Sequence, residues 1–286
     1  AVDPERQNRQ GVTDSIEKHY QDTMRGGHNK NNPELAKRLV EEAPGTMHWL
    51  EGKGLGFGPK GHTIVGGLYQ RGHAAQGGGF GYVNALSRFI KAYPDKVKVF
   101  TDTQAVSLIK DEQGRVIGVE GKNDGKTVKF FASKGVIIAT GGFGSNVDFR
   151  QAKNTGVWKE VKLDKDIPCT NNFKASQGDG LKLAEQVGAN IIDLDDIQLH
   201  PGGTPKTGIM SSWPSGRNRI FLTPQGDRFV NEDAARDTLC KAIFKEGGKY
   251  WIVSNHVKYP SLDYQSKNLT IGEMIKLGQA FSGNTV

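Results

Sequence analysis

The sequence predicts an α/β fold, in which helices accompany a small β-meander that leads into a buried strand. Residues 96–132 contain four short segments with β-strand character, separated by turn residues. The apolar run at residues 136–139 is bounded by glycines, which is typical of a strand buried on both faces. Residues 12–51 and 83–93 have a helical pattern. Together these patterns predict helices and a small sheet in one chain.

The first third of the chain is predicted to be helical and then irregular. Asn32 followed by Pro33 is typical of a capped helix start, and it lies within a helical stretch at residues 12–51. Residues 52–81 are rich in glycine and are predicted to be a loop. A further helix is predicted over residues 83–93.

The predicted meander leads to the most informative segment of the chain. Its four strands are predicted at residues 96–100, 104–109, 116–121 and 126–132. Asp111 and Gly114 supply turn chemistry between the second and third strands. The run at 136–139 ends at Thr140-Gly141-Gly142, where missing side chains let another backbone or a ligand come close. Such a turn commonly holds a nucleotide in α/β proteins, and a tight turn without a ligand explains the pattern equally well.

The second half of the chain combines short elements with a Pro/Gly/Ser-rich stretch at residues 201–219. Helices are predicted at residues 181–187, 232–244 and 271–277, and strands at residues 191–194, 220–222, 228–230 and 250–254. The turn Pro224-Gln-Gly226 predicts that the strands on either side of it form a hairpin.

Composition excludes several classes of protein. The 286 residues are 36% hydrophobic and 24% charged, which suits a globular chain of one large or two smaller domains. No run of about 18 apolar residues is present, so no membrane span is expected. Cys169 and Cys240 are too few for a disulfide scaffold or a cysteine metal site. The sequence does not decide whether the protein is located in the cell envelope or in the cytoplasm.

Charge and glycine patterns narrow the ligand class. The formal net charge of +7 is spread along the chain without a basic run interleaved with aromatics, which argues against nucleic acid and suits small anions. Gly54–Gly58 and Gly77–Gly81 resemble phosphate loops but lack the Lys-Ser/Thr of a P-loop. Both are therefore interpreted as loops, and Gly77–Gly81 is also compatible with the lining of a ligand channel.

Individual polar residues allow two interpretations each. Asp179 either caps the helix that follows it or contacts a ligand through its carboxylate. His200 opens a polar loop and is either structural or able to hydrogen-bond a carboxylate; metal binding is not expected, because no second ligand lies at metal spacing. Glu232 and Arg236 lie four residues apart on a predicted helix. They either form a surface ion pair, or the acids hold Arg236 so that its guanidinium points into a site.

Four motifs carry a family resemblance. They are Val136–Phe143, Gly178–Glu185, Gln198–Pro201 and Gly226–Glu232 with Arg236-Asp237. In this order and at these approximate separations they resemble the FAD-dependent reductases related to fumarate reductase and succinate dehydrogenase flavoproteins. The resemblance is to the soluble, single-chain branch of that family, which includes fumarate, urocanate and related enoate reductases. The resemblance runs from about residue 12 to the end, and only the combination of motifs is specific.

The resemblance implies a fold, a reaction and a cofactor. Residues 1–180 would form part of an FAD-binding Rossmann-like domain that includes the meander, and residues 181–286 would belong to an inserted α+β capping domain. Hydride would pass from FAD N5 to the C=C bond of an unsaturated carboxylate. Electrons would come from a haem domain, an FMN domain or NADH. The alternatives are 3-ketosteroid dehydrogenation or aspartate oxidation on the same scaffold, and a non-catalytic binding module.

The resemblance also implies roles for single residues. Arg236 would be the proton donor, and His200 would bind a substrate carboxylate. The remaining substrate-binding residues would be Ser211, Ser212 and Arg217. The cofactor-binding residues would be Ala105, Ala139, Thr140, Gly141, Gly142 and Asp179.

The sequence departs from the family pattern in two respects. The N-terminal GxGxxG unit and the C-terminal segments of the family have no counterpart, so the chain is interpreted as an internal piece that binds FAD weakly or not at all by itself. The glutamate expected between His200-Pro201 and Glu232 also has no counterpart, and Arg217 is displaced from the simplest alignment. Proton relay to Arg236 would then use Asp233 or Asp237, and a larger enoate such as urocanate fits the Trp-containing loop at least as well as fumarate.

Overall fold

A computed structural model describes residues 1–63, 67–169, 175–203, 219–255, 257, 260–264 and 267–283. The chain divides into two compact units. One comprises Ala1–Val97 with Ser212–Val286, and the other comprises Lys98–Ser211. These boundaries differ from those of the flavin and capping domains expected at residues 1–180 and 181–286, and that functional assignment stays a prediction.

Helices and short strands alternate along the described residues. The helices are α1 (Pro4–Asn8), α2 (Ile16–Gly26), α3 (Pro33–Gly52), α4 (Gly78–Lys91), α5 (Val147–Lys153), α6 (Asp179–Gln186), α7 (Arg236–Lys245) and α8 (Ile271–Lys276). The strands are β1 (Phe57–His62), β2 (Gly72–Ala75), β3 (Thr103–Lys110), β4 (Val116–Asn123), β5 (Lys126–Phe131), β6 (Arg219–Leu222), β7 (Trp251–Ser254), β8 (Ser261–Tyr264) and β9 (Lys267–Thr270). This mixture of helices and small sheets confirms the predicted fold class.

The meander forms as an antiparallel three-stranded sheet in the order β3-β4-β5. Its first turn has the predicted chemistry, because Asp111 Oδ1 accepts the backbone N–H groups of Gln113 and Arg115 at 3.1 and 2.8 Å. Gly114 completes that turn in the left-handed region, at a φ of 80°. The other described sheets are antiparallel pairs: β1-β2, β6-β7 and β8-β9. β1 and β2 lie in the stretch predicted to be a loop, so that prediction is wrong there.

Two predicted strands are absent: the first strand of the predicted meander and the strand predicted to follow the meander. Residues 96–100 have no strand pairing; the Phe100 ring instead packs on Phe130, with 4.7 Å between centroids. Residues 136–139 form neither a strand nor buried structure, because Ile137 is 93% exposed. A buried strand needs a hydrogen-bonding neighbour on at least one side, and the described part of the chain provides none for this segment. The apolar run alone could not reveal that.

Two further strand predictions are also wrong. Residues 191–194 are not a strand, and Asp193 has a φ of 59°, which interrupts extended structure. Arg228 makes a single isolated bridge to Leu222 instead of beginning a hairpin strand at residues 228–230. The turn at Pro224–Gly226 nevertheless forms, and β6 pairs with β7 from farther along the chain. The local turn signal was sound, but it did not identify the partner strand.

The helix predicted at residues 232–244 begins four residues later, at Arg236. Glu232 lies before the helix and is buried, at 5% exposure. Its carboxylate accepts the Phe221 N–H at 2.9 Å and two hydrogen bonds from Arg228, at 3.1 and 2.6 Å. Glu232 therefore pairs with Arg228, and the surface pair with Arg236 that helical spacing predicted is wrong.

A small apolar core surrounds this carboxylate. Phe221, Leu239 and Ile243 are buried, and the rings of Phe229 and Tyr250 pack against Phe221. Burial also raises the pKa of the neighbouring Cys240 thiol to about 12. We therefore expect Cys240 to resist thiol reagents near neutral pH, because only a thiolate reacts quickly.

An ion cluster anchors the N-terminal segment. Arg71 donates two hydrogen bonds to Asp14 and one to Asp22, each at 2.7 Å. Burial would raise the pKa of Asp14, but hydrogen bonds from Arg71 and Gln7 lower it overall. Among the described residues, Nδ1 of the nearby His19 is buried without a hydrogen bond. Burial, and then the charge of Arg71, lower the pKa of His19 from 6.5 to about 4.

His19 predicts a pH-dependent stability. Below pH 6.5 the unfolded chain takes up a proton at this imidazole while the folded chain excludes it until about pH 4. The free energy of unfolding should therefore decrease as the pH is lowered from 6.5 to about 4. The carboxylates with a lowered pKa reduce stability only at lower pH, where they become protonated. Urea unfolding of wild type and His19→Gln across this range tests this. The variant should show a flatter profile, and equal slopes would contradict the assignment.

Candidate functional site

The glycine turn after residue 139 lies against the start of α6. The Gly178 N–H donates to the Gly142 carbonyl at 3.1 Å, and the Ser145 N–H donates to the Ser176 carbonyl at 2.9 Å. Two of the four sequence motifs, separated by more than thirty positions, thus meet in one place. Both belong to the unit Lys98–Ser211.

Close packing explains two of the glycines in this contact. A Cβ at Gly180 would lie 2.1 Å from Thr140 Oγ1 and 2.6 Å from Ile138 Cγ2. A Cβ at Gly178 would lie 3.1 Å from Phe143 Cβ, and the φ of Gly178 is +77°. Any side chain at either position would push the turn away from the helix.

The opposite face of the turn is open. A Cβ on Gly141 or Gly142 would meet no atom within 4 Å, and Ala139 and Thr140 are exposed. These glycines are therefore not required by packing against the described residues. An open face of this kind is available to a ligand that approaches the backbone closely.

Asp179 is the first residue of α6. Gly178 occupies the N-cap position, so the interpretation of Asp179 as the cap is wrong. The Asp179 carboxylate lies 3.7 Å from Lys182 Nζ, and its side chain is 42% exposed. A carboxylate at a helix N-terminus is favoured by the helix dipole and stays available to a ligand donor.

Ala105 lies on β3, at the other end of α6. The Gln186 side chain, on the last residue of α6, donates to the Val106 carbonyl at 3.4 Å. A helix rises about 1.5 Å per residue, so roughly 10 Å of helix separates this contact from Asp179. The predicted cofactor residues thus lie near both ends of α6, so a ligand that contacts all of them has to span roughly 10 Å.

His200 has a defined hydrogen-bonding state. The Gly202 N–H donates to His200 Nδ1 at 3.0 Å, so Nδ1 is the acceptor of the ring. In the neutral imidazole the proton then lies on Nε2, which is a donor. The Trp158 indole donates to the Ile197 carbonyl at 2.7 Å and fixes the segment that leads to His200. A neutral imidazole with its proton on Nε2 is able to donate one hydrogen bond.

Arg236 begins α7, in the other unit. Ala235 precedes it as the N-cap and provides no side-chain hydrogen bond. The next residue, Asp237, has its carboxylate 3.6 Å from His28 Nε2 and 3.8 Å from Lys241 Nζ. Arg236 is half-buried at the start of a helix, beside an acid that already lies close to a histidine and a lysine.

Ser211, Ser212 and Arg217 lie outside the described residues. Within the described ranges, no three His, Cys, Asp or Glu side chains are grouped as a metal site, and no helix is long and apolar enough to cross a bilayer. A Cβ at Gly81 would lie 2.0 Å from the Gln76 carbonyl oxygen, so helix packing explains that glycine without a phosphate.

Sequence reasoning missed the buried polar residues behind the turn. Arg150 and Asn154 are both 6% exposed and bond backbone carbonyls, and neither belongs to a motif. One local signal was available, because Asn146 caps α5 by accepting the Phe149 N–H at 3.1 Å. It could have predicted the helix, but not the carbonyls that these side chains bind.

The comparison with known protein families decides the assignment. Residues 2–274 match the family model described as an FAD binding domain. The chain belongs to this FAD-binding domain family. The predicted cofactor, FAD, and the predicted family are thereby confirmed.

Relatives of this FAD-binding domain are also informative. It is 33% identical to an NADH:fumarate oxidoreductase of Klebsiella pneumoniae over 96% of the chain and 28% of that protein. It is 32% identical to a urocanate reductase of Eggerthella lenta over 98% of the chain and 46% of that protein. The open conformation of a flavocytochrome c3 fumarate reductase superposes with a TM-score of 0.68 at 27% identity, over 91% of this chain and 45% of that one. The domain thus spans less than half of each of these relatives.

The residues around α6 fit an FAD molecule. The open backbone of Gly141 and Gly142 allows close approach, and the carboxylate of Asp179 can accept a hydrogen bond from a hydroxyl or ring N–H. The two ends of α6 are roughly 10 Å apart, a distance that a dinucleotide is long enough to span. Nothing in this donor set requires a metal.

Proposed function

We propose that this FAD-binding domain belongs to a flavoenzyme that reduces the C=C bond of an unsaturated carboxylate. The observation that carries the proposal is the similarity, along almost the whole chain, to relatives named as fumarate and urocanate reductases. The four ordered motifs of the sequence support it. The small anion expected from the net positive charge is of the same ligand class.

Residues of the two units would have separate roles. Ala105, the turn at Ala139–Gly142 and Asp179 would hold FAD, which in its reduced form supplies a hydride. His200 would donate its Nε2–H to a substrate carboxylate, since its Nδ1 already accepts the Gly202 N–H. Ser211, Ser212 and Arg217 would complete the substrate contacts, as the family resemblance implies.

Arg236 would give a proton to the carbon next to the one that receives hydride. A guanidinium normally keeps its proton, so this role needs a nearby group that returns the proton and a site that excludes water. Asp237 and Asp233 are the candidates for the returning group. Asp237 lies 3.6 Å from Nε2 of His28, whose side chain is 71% exposed.

Other reactions on this scaffold receive less support. A 3-ketosteroid dehydrogenase superposes with a TM-score of 0.64 at 20% identity, which shows the common fold alone. A steroid has no carboxylate for His200 or Arg236 to bind. The relatives are named as an oxidoreductase and a reductase, which argues against a non-catalytic binding module.

A substrate panel tests the proposal. The native protein should be assayed with an artificial reduced electron donor, because the names of the relatives indicate both NADH and a flavocytochrome. Fumarate, urocanate, acrylate, a 3-ketosteroid and aspartate would be compared. We expect turnover with at least one unsaturated carboxylate. Turnover with only the steroid or aspartate would contradict the proposal.

A further inference from the structure

The turn and the His200 segment are both contacted by one stretch, residues 147–167, which comprises α5 and the loop after it and in which Arg150, Asn154, Trp158 and Leu163 are buried. Arg150, on α5, is 6% exposed and bonds backbone carbonyls at the exit of the turn and in the loop. Its Nη1 donates to the Gly144 carbonyl at 2.8 Å, and its Nε donates to the Leu163 carbonyl at 2.9 Å. Its Nη2 donates to the carbonyls of Asp164 and Ile167.

This contact sets the position of the turn from the inside. Gly144 lies two residues after Gly142, whose open face is the proposed cofactor surface. A Cβ at Gly144 would lie 3.0 Å from Cys169 Sγ, so the chain has little freedom to move inward there. Since Arg150 is buried and its acceptors are carbonyls, its loss would leave several acceptors without these donors in the interior.

The same stretch holds the other half of the site through Trp158. The Trp158 side chain is buried, at 3% exposure, and its indole N–H binds the carbonyl of Ile197, three residues before His200. Asn154 fixes the loop that carries Trp158, because its side-chain amide donates to the Trp158 and Val161 carbonyls at 2.8 Å each. Arg150 and Trp158 thus act on different segments.

We propose that residues 147–167 form a brace with two independent positioning residues, Arg150 for the glycine turn and Trp158 for the His200 segment. The inference rests on the proposed function, because it assigns FAD to the first segment and the substrate carboxylate to the second. Arg150 touches neither ligand and acts through the Gly144 backbone. Trp158 acts through the Ile197 carbonyl.

Two variants of the native protein, each expected to change a different measurement, test the brace. Arg150→Met keeps an unbranched stem and removes the donors, and Trp158→Phe keeps an aromatic ring and removes the indole N–H. Arg150→Met should weaken FAD binding by about tenfold or more and leave the KM for the carboxylate within about twofold. Trp158→Phe should raise that KM by about fivefold and leave FAD affinity unchanged. Phe130→Ala, in the meander of the same unit, is the control for general destabilisation.

Amide hydrogen exchange of the ligand-free protein gives a readout that does not depend on activity. Arg150→Met should speed exchange at residues 141–146 and spare residues 197–202, and Trp158→Phe should do the reverse. Arg150→Lys should recover part of the protection at the turn, and it replaces Arg150→Met if the latter does not fold. Equal changes in both segments for all variants, Phe130→Ala included, would overturn the brace. A wild type without flavin or turnover would refute the proposed function but leave this exchange test decisive.

Discussion

Replacing Arg236 with alanine is expected to lower kcat for the preferred unsaturated carboxylate by about 10²–10⁴-fold, the usual contribution of a general acid. Arg236 begins α7 and is half-buried, so alanine should not disturb the core of that helix. FAD content should stay unchanged, because the proposed cofactor contacts are on other elements. Steady-state kinetics with a reduced artificial donor measures the effect.

Two further variants make the Arg236 prediction specific. Lys245→Ala removes an equal charge from the last turn of the same helix and should leave kcat within about twofold, because exposed charges interact weakly. Arg236→Lys should recover little activity, since a lysine does not reproduce guanidinium geometry. Turnover above a few per cent of wild type in Arg236→Ala would remove Arg236 from the proton-donor role.

Replacing Glu232 with alanine is expected to lower the free energy of unfolding by about 2–3 kcal/mol. The Glu232 carboxylate accepts the N–H of Phe221, which lies fully buried at the centre of a core, so its removal leaves that donor without its partner. Burial would raise the pKa of Glu232, but hydrogen bonds from Arg228 and the Phe221 N–H lower it overall. The carboxylate is therefore charged at neutral pH and contributes most there.

Urea unfolding at neutral pH measures the Glu232 effect, and Arg228→Ala provides the matched control. The Arg228 side chain is 60% exposed, so removing it should cost much less than removing Glu232. Glu232→Gln should fall between wild type and alanine, because an amide oxygen can still accept the Phe221 N–H. Equal losses in Glu232→Ala and Arg228→Ala would show that the ion pair with Arg228, and not the hydrogen bond to the Phe221 N–H, carries the stability.

The sequence predicted elements where the signal was local. The Asn32 cap, the Asp111 turn and the helix after Gly178 depend on side chains within a few residues of each other, and the structure has all three. Residues 136–139 are different, because an apolar run becomes a strand only beside a partner that lies elsewhere. For the same reason the turn after β6 could not predict the partner of β6. That partner is β7, which lies farther along the chain than residue 228.

The candidate site shows the same division between local and distant information. Motifs identified the glycine turn and Asp179, and the structure brings their backbones into contact through Gly142 and Gly178. Helical spacing predicted a contact between Glu232 and Arg236. In the structure α7 begins only at residue 236, and the buried Glu232 carboxylate accepts hydrogen bonds from Arg228 and the Phe221 N–H. Arg150 could not be predicted, because its acceptors are backbone carbonyls and carry no sequence signature.

Single-turnover reoxidation of the flavin tests the central claim most directly. The native protein would be reduced anaerobically, mixed with fumarate, urocanate or acrylate, and followed by flavin absorbance near 450 nm, a wavelength characteristic of oxidised flavin. We expect at least one of these carboxylates to reoxidise the flavin and to yield its saturated product. A flavin that stays reduced with every unsaturated carboxylate, but is reoxidised by another class of acceptor, would contradict the account.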